Sequence, residues 1–364
     1  MGSPRVESVG LVGGGVIGLS IAFELVREGL DVVVIDPSPG RGASWAAAGM
    51  LAPASEVAPG EGALLSDLAA AAALWPAFAA KVAEVGGSDV GFRETGSVLV
   101  GTTPSDARDV TRTIETMRAA GVMAEPLPGA ELARREPSLA ASVRSAWLLP
   151  GDHSVDNRKL VTALLEALKA LGARLVEDSC VRLVAEQRGL RLVLEQNGEV
   201  RCDRCVLATG AALPVEGTQA LGLPSVRPVR GMTLRLGAVE DVAIPTSSVR
   251  AVVDGTHCYL VPRADGSLVV GATSEEQGRR SIAPAGGVHD LLAAARIVFP
   301  GVDELSFEEA SVGFRPATPD HLPFVGRLQD PRVVAALGHY RNGILLAPLA
   351  SARAAALVKD ASCT

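Results

Sequence analysis

Residues 6–36 carry the clearest pattern of apolar and polar positions in the chain. Residues 6–12 alternate into a short buried strand, residues 19–28 repeat their apolar positions at helical spacing, and Gly29 follows as a helix stop. Residues 31–36 are then a run of Val and Ile that ends in an acid, which is typical of a strand covered on both faces. The pattern predicts a β-strand, an α-helix and a second, parallel strand.

The same kind of pattern returns in the middle and at the end of the chain. Residues 156–184 form a helix followed by a strand, residues 190–210 form a hairpin at an Asn-Gly turn, and residues 342–358 form a final helix. Between them, residues 217–310 are rich in strands. We therefore predict an α/β (α+β) fold in which a discontinuous, Rossmann-like domain is interrupted by a β-rich substrate domain.

The predicted boundaries follow from these pieces. The dinucleotide-binding domain comprises residues 1–85, 148–216 and 311–364. The substrate-binding domain comprises residues 86–147 and 217–310.

A glycine-rich turn joins the first predicted strand to the first helix. Gly13, Gly15 and Gly18 have the G-x-G-x-x-G spacing that permits a tight turn and close approach of the backbone to a pyrophosphate. A helix that begins near Val16 would direct free N–H groups at that anion. Asp36, at the end of the second strand, is placed to accept hydrogen bonds from ribose hydroxyls. A turn with a packing role only is the alternative.

Composition narrows the classes of partner. The 364 residues are 48% hydrophobic and 21% charged, so the chain can form a large core, and aromatic residues are only 3%. The net charge of −7 and the lack of a long basic run argue against a nucleic-acid or anionic membrane partner. No apolar run of about 18 residues was found, so a cytoplasmic protein with a small-molecule partner is expected.

The cysteines do not predict a disulfide framework. Cys202 and Cys205 form a C-x-x-C, which is found in redox pairs and in zinc sites. No second C-x-x-C or nearby pair of histidines completes a metal site. We interpret the two thiols as residues of a strand or hairpin and predict no metal.

The glycine turn does not separate NAD from FAD, but two later segments do. Residues 206–210, "VLATG", would close the same sheet in mid-chain, and residues 338–348, "GHYRNGILLAP", form a strand-to-helix turn near the C-terminus. A helix beginning at Asn342 can aim its positive end at the part of a flavin where negative charge accumulates on reduction. FAD is therefore the predicted cofactor.

Further motifs carry a family resemblance. "GGGVIG" and "VVVID", then "GASWAAAGMLAP", "HCYLVPRADGSLVVGAT", "GFRPATPDHLPFVG" and "GHYRNGILLAP" run in order from about residue 6 to 358. In these segments the chain resembles the D-amino-acid-oxidase-like FAD flavoproteins, and within them the glycine oxidase (ThiO) group of thiamine biosynthesis. The resemblance implies a glutathione-reductase-like FAD-binding fold. It also implies oxidation of glycine, sarcosine or small D-amino acids to an imino or oxo acid, with O₂ reduced to H₂O₂.

The resemblance implies four catalytic-site residues. Arg315 corresponds to the arginine that binds the substrate carboxylate, which suits a guanidinium fork, although a surface arginine is the alternative. Tyr259 corresponds to an active-site tyrosine or is a core residue. His257 shares its strand face and lines the pocket or is structural. Arg341 corresponds to a position at the flavin edge or forms a salt bridge.

The resemblance also implies the residues that hold the cofactor, most of them through backbone groups. Val16 and Ile17 would contact the pyrophosphate, Asp36 the ribose, and Val181 the adenine. With the glycine turn, the other implied contacts are Pro37, Ala43, Ser44, Ala48, Gly49, Met50, Gly210, His339, Tyr340, Arg341, Asn342, Gly343, Ile344 and Leu345. No cysteine adjoins Arg315 or residues 338–343, so noncovalent FAD is predicted.

Several expectations stay open at this stage. An FAD-dependent D-amino-acid dehydrogenase or a sarcosine-oxidase-like enzyme, with another acceptor or substrate, is the alternative function. Met232 stands where many relatives have a polar residue, which puts the substrate range in question. The resemblance further implies a homotetramer and use of the imine product by a thiazole-forming partner.

Overall fold

Helices account for much of the chain in the computed structural model, which describes residues 7–53, 64–119, 121–212 and 214–360. Residue 6 of the first predicted strand lies outside the described residues. The helices are α1 (Val16–Arg27), α2 (Ala43–Ala46), α3 (Leu65–Gly86), α4 (Pro104–Ala119), α5 (Gly129–Arg135), α6 (Asn157–Ala170), α7 (Ala285–Val298) and α8 (Gly343–Lys359).

The strands fall into two large sheets and two small ones. They are β1 (Ser8–Val12), β2 (Asp31–Ile35), β3 (Met50–Leu51), β4 (Ser97–Gly101), β5 (Glu125–Pro126), β6 (Ser145–Leu149), β7 (His153–Ser154), β8 (Arg174–Val176), β9 (Cys180–Ala185), β10 (Leu190–Leu194), β11 (Glu199–Cys202), β12 (Arg204–Leu207), β13 (Arg227–Gly237), β14 (Ser248–Val253), β15 (Thr256–Pro262), β16 (Leu268–Gly271), β17 (Ser306–Ala317), β18 (Phe324–Arg327) and β19 (Val333–Leu337).

The six-stranded sheet is assembled from three separate parts of the chain, in the order β18-β19-β12-β1-β2-β8. β1 is parallel to both β2 and β12, and β12 is parallel to β19. Because β1 lies between the strand that follows it and one from mid-chain, the strand order reverses beside it, and ligands bind at such a switch point in open α/β sheets. The predicted βαβ unit is therefore the centre of this sheet.

Helices α1, α3, α6 and α8 supply one core of this unit with aliphatic side chains and Trp75. The Trp75 indole, which is 1% exposed, donates to the Leu345 carbonyl of α8 at 2.9 Å. Among the described residues, α3 alone is long and apolar enough to cross a bilayer. It packs here against α6 and α8, with Leu68 and Phe78 buried in the same core.

The eight-stranded sheet has the order β17-β13-β16-β15-β14-β4-β6-β5 and is mostly antiparallel. Its longest pairing joins β13 to β17 from Arg227↔Ala317 to Gly237↔Ser306. The predicted boundary between residues 310 and 311 cuts through β17, and the one between residues 147 and 148 cuts through β6. β17 pairs with β13, and β6 pairs with β4, on both sides of these boundaries. The other domain boundaries stay predictions.

Residues 45–48, which follow the start of α2, are held by hydrogen bonds from the eight-stranded sheet. The Thr233 hydroxyl donates to the Ala46 carbonyl at 2.8 Å, and Arg235 donates to the carbonyls of residues 45 and 47 at 3.2 Å. Arg263 donates to the Ala48 carbonyl at 2.7 Å. Burial, with the nearby guanidinium groups of other arginines, lowers the pKa of Arg235 to about 10. These donors satisfy backbone carbonyls that have no helix or sheet partner.

The C-x-x-C thiols lie on β11 and β12, as expected for residues of strands, and neither forms a disulfide. Burial raises the pKa of Cys202 to about 12 and that of Cys205 well above its usual value. Both are therefore protonated and unreactive at neutral pH. Within the described residues, no three His, Cys, Asp or Glu side chains are grouped to hold a metal ion.

Candidate active site

A cleft of about 580 Å³ opens at the switch point of the six-stranded sheet. It is lined by the glycine turn after β1, by residues 208–212 after β12, by the start of α8 and by parts of β13, β15 and β17. The cleft therefore lies where both sheets supply residues. The three chain segments that the sequence predicts around a dinucleotide meet here.

The glycine turn is shaped by close backbone contacts. Gly13 has φ +107°, and a Cβ on it would lie 2.3 Å from the Ala208 carbonyl oxygen. A Cβ on Gly18 would lie 1.9 Å from the Gly13 carbonyl oxygen, so Gly18 closes the turn by packing and does not line the cleft. Helix α1 begins after Gly15 without a side-chain cap, and its Val16 N–H donates to the Ser44 hydroxyl at 2.9 Å.

The Asp36 carboxylate supports the turn. One oxygen accepts from the Gly14 N–H at 2.7 Å, and the other accepts from the Ser38 N–H at 2.8 Å. Asp36 and Pro37 both line the cleft. The acid that was predicted at the ribose therefore also holds the shape of the loop that would face the phosphates, which spacing alone did not reveal.

The start of α8 forms the opposite wall. A 3₁₀ turn, Tyr340–Asn342, leads into α8, which has no side-chain cap at its N-terminus. Burial lowers the pKa of His339 to about 4, so its imidazole is neutral at physiological pH. The His339 Nε2 and the Asn342 Oδ1 are buried without a hydrogen-bond partner in the described residues. Buried polar atoms of this kind require a partner, and because His339 lines the cleft, a cofactor there can supply one to its Nε2.

The structure brings most of the predicted cofactor residues to the cleft. Those that line it are Gly13, Gly15, Val16, Ile17, Asp36, Pro37, Ala43, Ser44, Gly210, His339, Tyr340, Arg341, Gly343 and Ile344. Outside the lining lie Gly18, Ala48, Gly49, Met50, Val181, Asn342 and Leu345. Of these, Val181 is 41% exposed on β9, whereas Leu345 is buried in the core against Trp75.

Arg315 lies on β17 beside the cleft. Its Nη1 donates to the carbonyl of Thr273 at 3.1 Å and to that of Arg230 at 3.4 Å. In the described part of the chain, no carboxylate forms an ion pair with Arg315. A Cβ on Gly231, on the neighbouring strand, would lie 2.1 Å from the same Nη1. Bare backbone therefore makes room for a half-buried positive charge with which the carboxylate of a ligand can pair.

Tyr259 also lines the cleft, whereas His257 does not. The Tyr259 ring lies against Gly271 on β16, where a Cβ would come within 2.4 Å of a ring carbon. His257, two residues earlier on β15, is exposed near the Asp254–Gly255 turn. The two residues are two positions apart on β15 and so share a strand face, but only Tyr259 lies at the part of the strand that borders the cleft. The structure therefore does not support His257 as a pocket residue.

Arg341 is exposed at the cleft edge, with its guanidinium 5.0 Å from the centre of the Tyr340 ring. Met232, which raised the question of substrate range, is instead 1% exposed in the core of the eight-stranded sheet. Sequence reasoning missed two further arginines that line the cleft, Arg41 and Arg279. Arg41 adjoins the predicted segment 43–50 and could have been found from it, whereas Arg279 comes from a loop without any motif.

These residues fit FAD on several independent observations. The glycine turn and the start of α1, where the N-cap residue Gly15 has no side chain, suit a pyrophosphate. The uncapped start of α8, with the unpartnered atoms of His339 and Asn342 beside it, suits the polar edge of a flavin ring. Three segments far apart in sequence would hold the one cofactor.

Comparison with known proteins agrees with this assignment. The family model described as FAD dependent oxidoreductase matches residues 9–357, and the chain belongs to that family. Within it, the chain is 34% identical to a glycine oxidase of Geobacillus kaustophilus, over 96% of this chain and 92% of the relative.

Two further comparisons extend this result. The crystal structure of glycine oxidase from Geobacillus kaustophilus superimposes with a TM-score of 0.88, at 34% identity, covering 97% of this chain and 95% of that one. A bifunctional protein ThiO/ThiG of Nostoc sp. is 35% identical over 96% of this chain. The chain spans about half the length of that relative, 52%. The predicted α/β fold and FAD cofactor are confirmed.

Proposed function

We propose that the chain is an FAD-dependent oxidase of glycine and other small amines, such as sarcosine and small D-amino acids. It converts them to an imino or oxo acid and reduces O₂ to H₂O₂. Similarity to glycine oxidases over nearly the whole chain supports this function. The observation that carries it is the Arg315 guanidinium, which borders the FAD-type cleft without a carboxylate partner among the described residues.

The residues of the chain bind and orient the substrate. The planar Arg315 fork can donate to both oxygens of an α-carboxylate, and its bonds to two backbone carbonyls restrict its movement. Tyr259 borders the same cleft, and in this proposal its hydroxyl donates to that carboxylate. When bound, FAD would supply the two-electron oxidation of the amine and the return of the electrons to O₂. Holding the Cα–H in one orientation is therefore the main task of the protein.

The direct test is amine-dependent release of H₂O₂ by the FAD-loaded protein with glycine, sarcosine and D-alanine. We expect peroxide in proportion to the O₂ consumed. Reduction of an artificial dye without peroxide would support the dehydrogenase alternative. Absence of both signals with all three amines would contradict the proposal.

Substitution of Arg315 tests whether its guanidinium binds the substrate carboxylate. Charge-assisted hydrogen bonds contribute roughly 1.5–3 kcal/mol, so we expect Arg315→Leu to raise the apparent KM for glycine by about 10- to 100-fold. Arg315→Lys should recover only part of this loss, because an ammonium group lacks the two-pronged geometry. Arg112→Leu, a matched change on the exposed face of α4, should leave KM unchanged. An unchanged KM in Arg315→Leu would remove Arg315 from the site.

We also propose a cytoplasmic homotetramer whose imine product serves thiazole formation in thiamine biosynthesis. The resemblance to the glycine oxidase group supports the tetramer and the use of the product, and the bifunctional ThiO/ThiG relatives support the use of the product. Light scattering of the purified protein would test the tetramer. A monomer at micromolar concentration would contradict it.

A further inference from the structure

Before any ligand is bound, the cleft carries an excess of positive charge. Four guanidinium groups line it, from Arg41, Arg279, Arg315 and Arg341, against one carboxylate, that of Asp36. The chain as a whole carries a net charge of −7. A cleft of opposite sign to its protein concentrates anions, and the more so where low-dielectric walls focus the field.

Three of these arginines contact other groups of the chain. Arg315 is assigned to the α-carboxylate. Arg41 lies with its guanidinium 3.9 Å from the centre of the Trp45 ring, and Arg341 lies over Tyr340. Arg279, by contrast, has no hydrogen bond, ion pair or ring contact among the described residues. An arginine left without a partner in a cleft is available to a ligand.

The carboxylates nearest to Arg279 in sequence are already paired elsewhere. Glu275 forms an ion pair with Arg230, and Glu276 forms one with Arg227 at 3.2 Å. The acids of the loop that carries Arg279 therefore do not neutralise it. Among the described residues no carboxylate pairs with Arg279, so an acid group of a ligand can do so.

The loop itself is anchored to the strand beside Arg315. Arg230, 1% exposed, donates to the Arg280 carbonyl at 3.2 Å and to the Gln277 side chain at 3.1 Å, besides its pairing with Glu275. The carbonyl of the same Arg230 accepts from Arg315. Buried Arg230 therefore forms hydrogen bonds both with the backbone next to Arg279 and with the guanidinium of Arg315. The same residue thus helps to position both cationic groups at the cleft.

We propose that Arg279 binds a second acid group of the substrate, so that the enzyme accepts amines carrying two acid groups. This proposal rests on the proposed oxidase function. The α-carboxylate binds Arg315, and a carboxylate on the nitrogen substituent or on the Cα substituent binds Arg279. Because Arg279 is exposed, the attraction weakens as salt is added. Arg279 is therefore a specificity-determining residue.

Binding to the FAD-loaded protein, measured by calorimetry, tests the second acid subsite without turnover. Succinate is compared with its monoamide, succinamate, which has the same shape and one charge fewer. We expect succinate to bind about tenfold more tightly, and Arg279→Gln to reduce that preference to about twofold or less. Arg280→Gln, the same change at the adjacent exposed residue, should retain it. Equal affinities, no binding of succinate, or a preference unaltered in Arg279→Gln would overturn the proposal.

Turnover of paired substrates provides the second measurement. The values of kcat/KM are compared for D-aspartate against D-asparagine, and for N-(2-carboxyethyl)glycine against its amide. We expect the acid to be preferred in at least one pair, and the preference to fall about tenfold in Arg279→Gln while kcat/KM for glycine stays within about twofold. Failure of every acid to be preferred would overturn the proposal.

The two measurements separate this inference from the proposed function. Oxidation of glycine without a preference for a second acid group would support the proposed function and contradict this inference. Tighter binding of succinate that depends on Arg279, without turnover of any amine, would support the Arg279 subsite and contradict the oxidase function. An FAD dissociation constant that rises in Arg279→Gln would assign Arg279 to the cofactor and so overturn the inference.

Discussion

At the scale of single residues, the Arg315 guanidinium occupies space that is free because residue 231 is a glycine. β13 and β17 pair directly, and Gly231 lies beside Arg315 across that pair. Any Cβ at residue 231 would occupy the volume of the guanidinium. The carboxylate-binding geometry is therefore specified by a glycine as much as by the arginine.

Gly231→Ala tests this dependence. A Cβ at residue 231 would lie 2.1 Å from Nη1 and 2.4 Å from Cζ of Arg315, so the flexible end of the arginine must move. We expect the apparent KM for glycine to rise by about tenfold, because displaced charge-assisted bonds are weakened. Steady-state kinetics measure the change, and circular dichroism checks that the protein is folded.

The control is Gly286→Ala, because a Cβ there meets nothing within 4 Å. It should leave KM unaltered. A Gly231→Ala variant with the KM of the wild type would show that the observed guanidinium position does not matter for substrate binding.

At the scale of elements, the segment of residues 45–48 depends on the eight-stranded sheet for its hydrogen bonds. Its carbonyls accept from Thr233 and Arg235 of β13 and from Arg263, the residue after β15. Residues 43, 44, 46 and 47 line the cleft. The substrate-side sheet therefore orders part of the wall that would contact the cofactor.

Thr233→Val should destabilise the protein through this contact. Thr233 is 3% exposed, and its hydroxyl donates to the Ala46 carbonyl. Without that hydroxyl, the buried carbonyl would lose this partner. We expect the free energy of unfolding to fall by about 1–3 kcal/mol, measured by urea denaturation.

Thr111→Val is the matched comparison. The Thr111 hydroxyl makes the same kind of bond, 2.8 Å to the Ala107 carbonyl, on the exposed face of α4. Its loss should alter the free energy of unfolding by less than about 0.5 kcal/mol. Equal effects of the two substitutions would contradict the role given to burial.

The turn between β1 and α1 provides a second prediction at this scale. In Asp36→Asn, one of the two N–H donors from Gly14 and Ser38 would face an NH₂ group instead of an oxygen. We expect the dissociation constant of FAD to rise by about tenfold or more, since bonds to a charged acceptor are lost. Quenching of FAD fluorescence measures the constant.

Asp31→Asn is the control, because Asp31 is exposed at the other end of β2. It should bind FAD as the wild type does. Unchanged FAD affinity in Asp36→Asn would mean that the turn keeps its shape without the carboxylate.

At the scale of the whole molecule, burial of a neutral imidazole links stability to pH. His339 is 4% exposed, and burial lowers its pKa to about 4 from an ordinary value of 6.5. Between these values the unfolded chain binds a proton that the folded protein does not. The free energy of unfolding therefore falls as the pH drops from 6.5 towards 4, and the contribution is fully present only above 6.5.

Urea denaturation at pH 7.5 and pH 5 would measure this loss. Linkage gives about 2 kcal/mol for one such histidine over that interval. His339→Asn should remove this part of the pH dependence. His289→Asn, on an exposed histidine beside Asp290, should retain it. A pH dependence that is the same in both variants would contradict the assignment to His339.

Local signals in the sequence accounted for much of the fold and, within the site, for the glycine turn and Asp36. The Gly13–Gly18 turn and Asp36 were predictable because a strand, a tight turn and a helix close in sequence determine their geometry. The Asn-Gly hairpin joining β10 and β11 was predictable for the same reason. Arg315 and Tyr259 came from the family resemblance, and the cleft contains both.

Residues whose place depends on distant contacts were not predictable. His257 and Tyr259 share a strand face, but the depth of β15 relative to the cleft places only one of them in it. Met232 faces a core that α7 helps to form, which no nearby residue indicates. Arg279 reaches the cleft because Arg230, 49 positions earlier, anchors its loop.

The sequence by itself determined the βαβ unit, the glycine turn, the choice of FAD and the family, because these depend on local spacing and on motifs that keep their order. Only the tertiary structure decided which charges surround the cleft and which carboxylates are already paired. Those properties depend on distances between strands far apart in the chain. Electrostatic energies vary with distance and burial, and neither can be read from composition or periodicity.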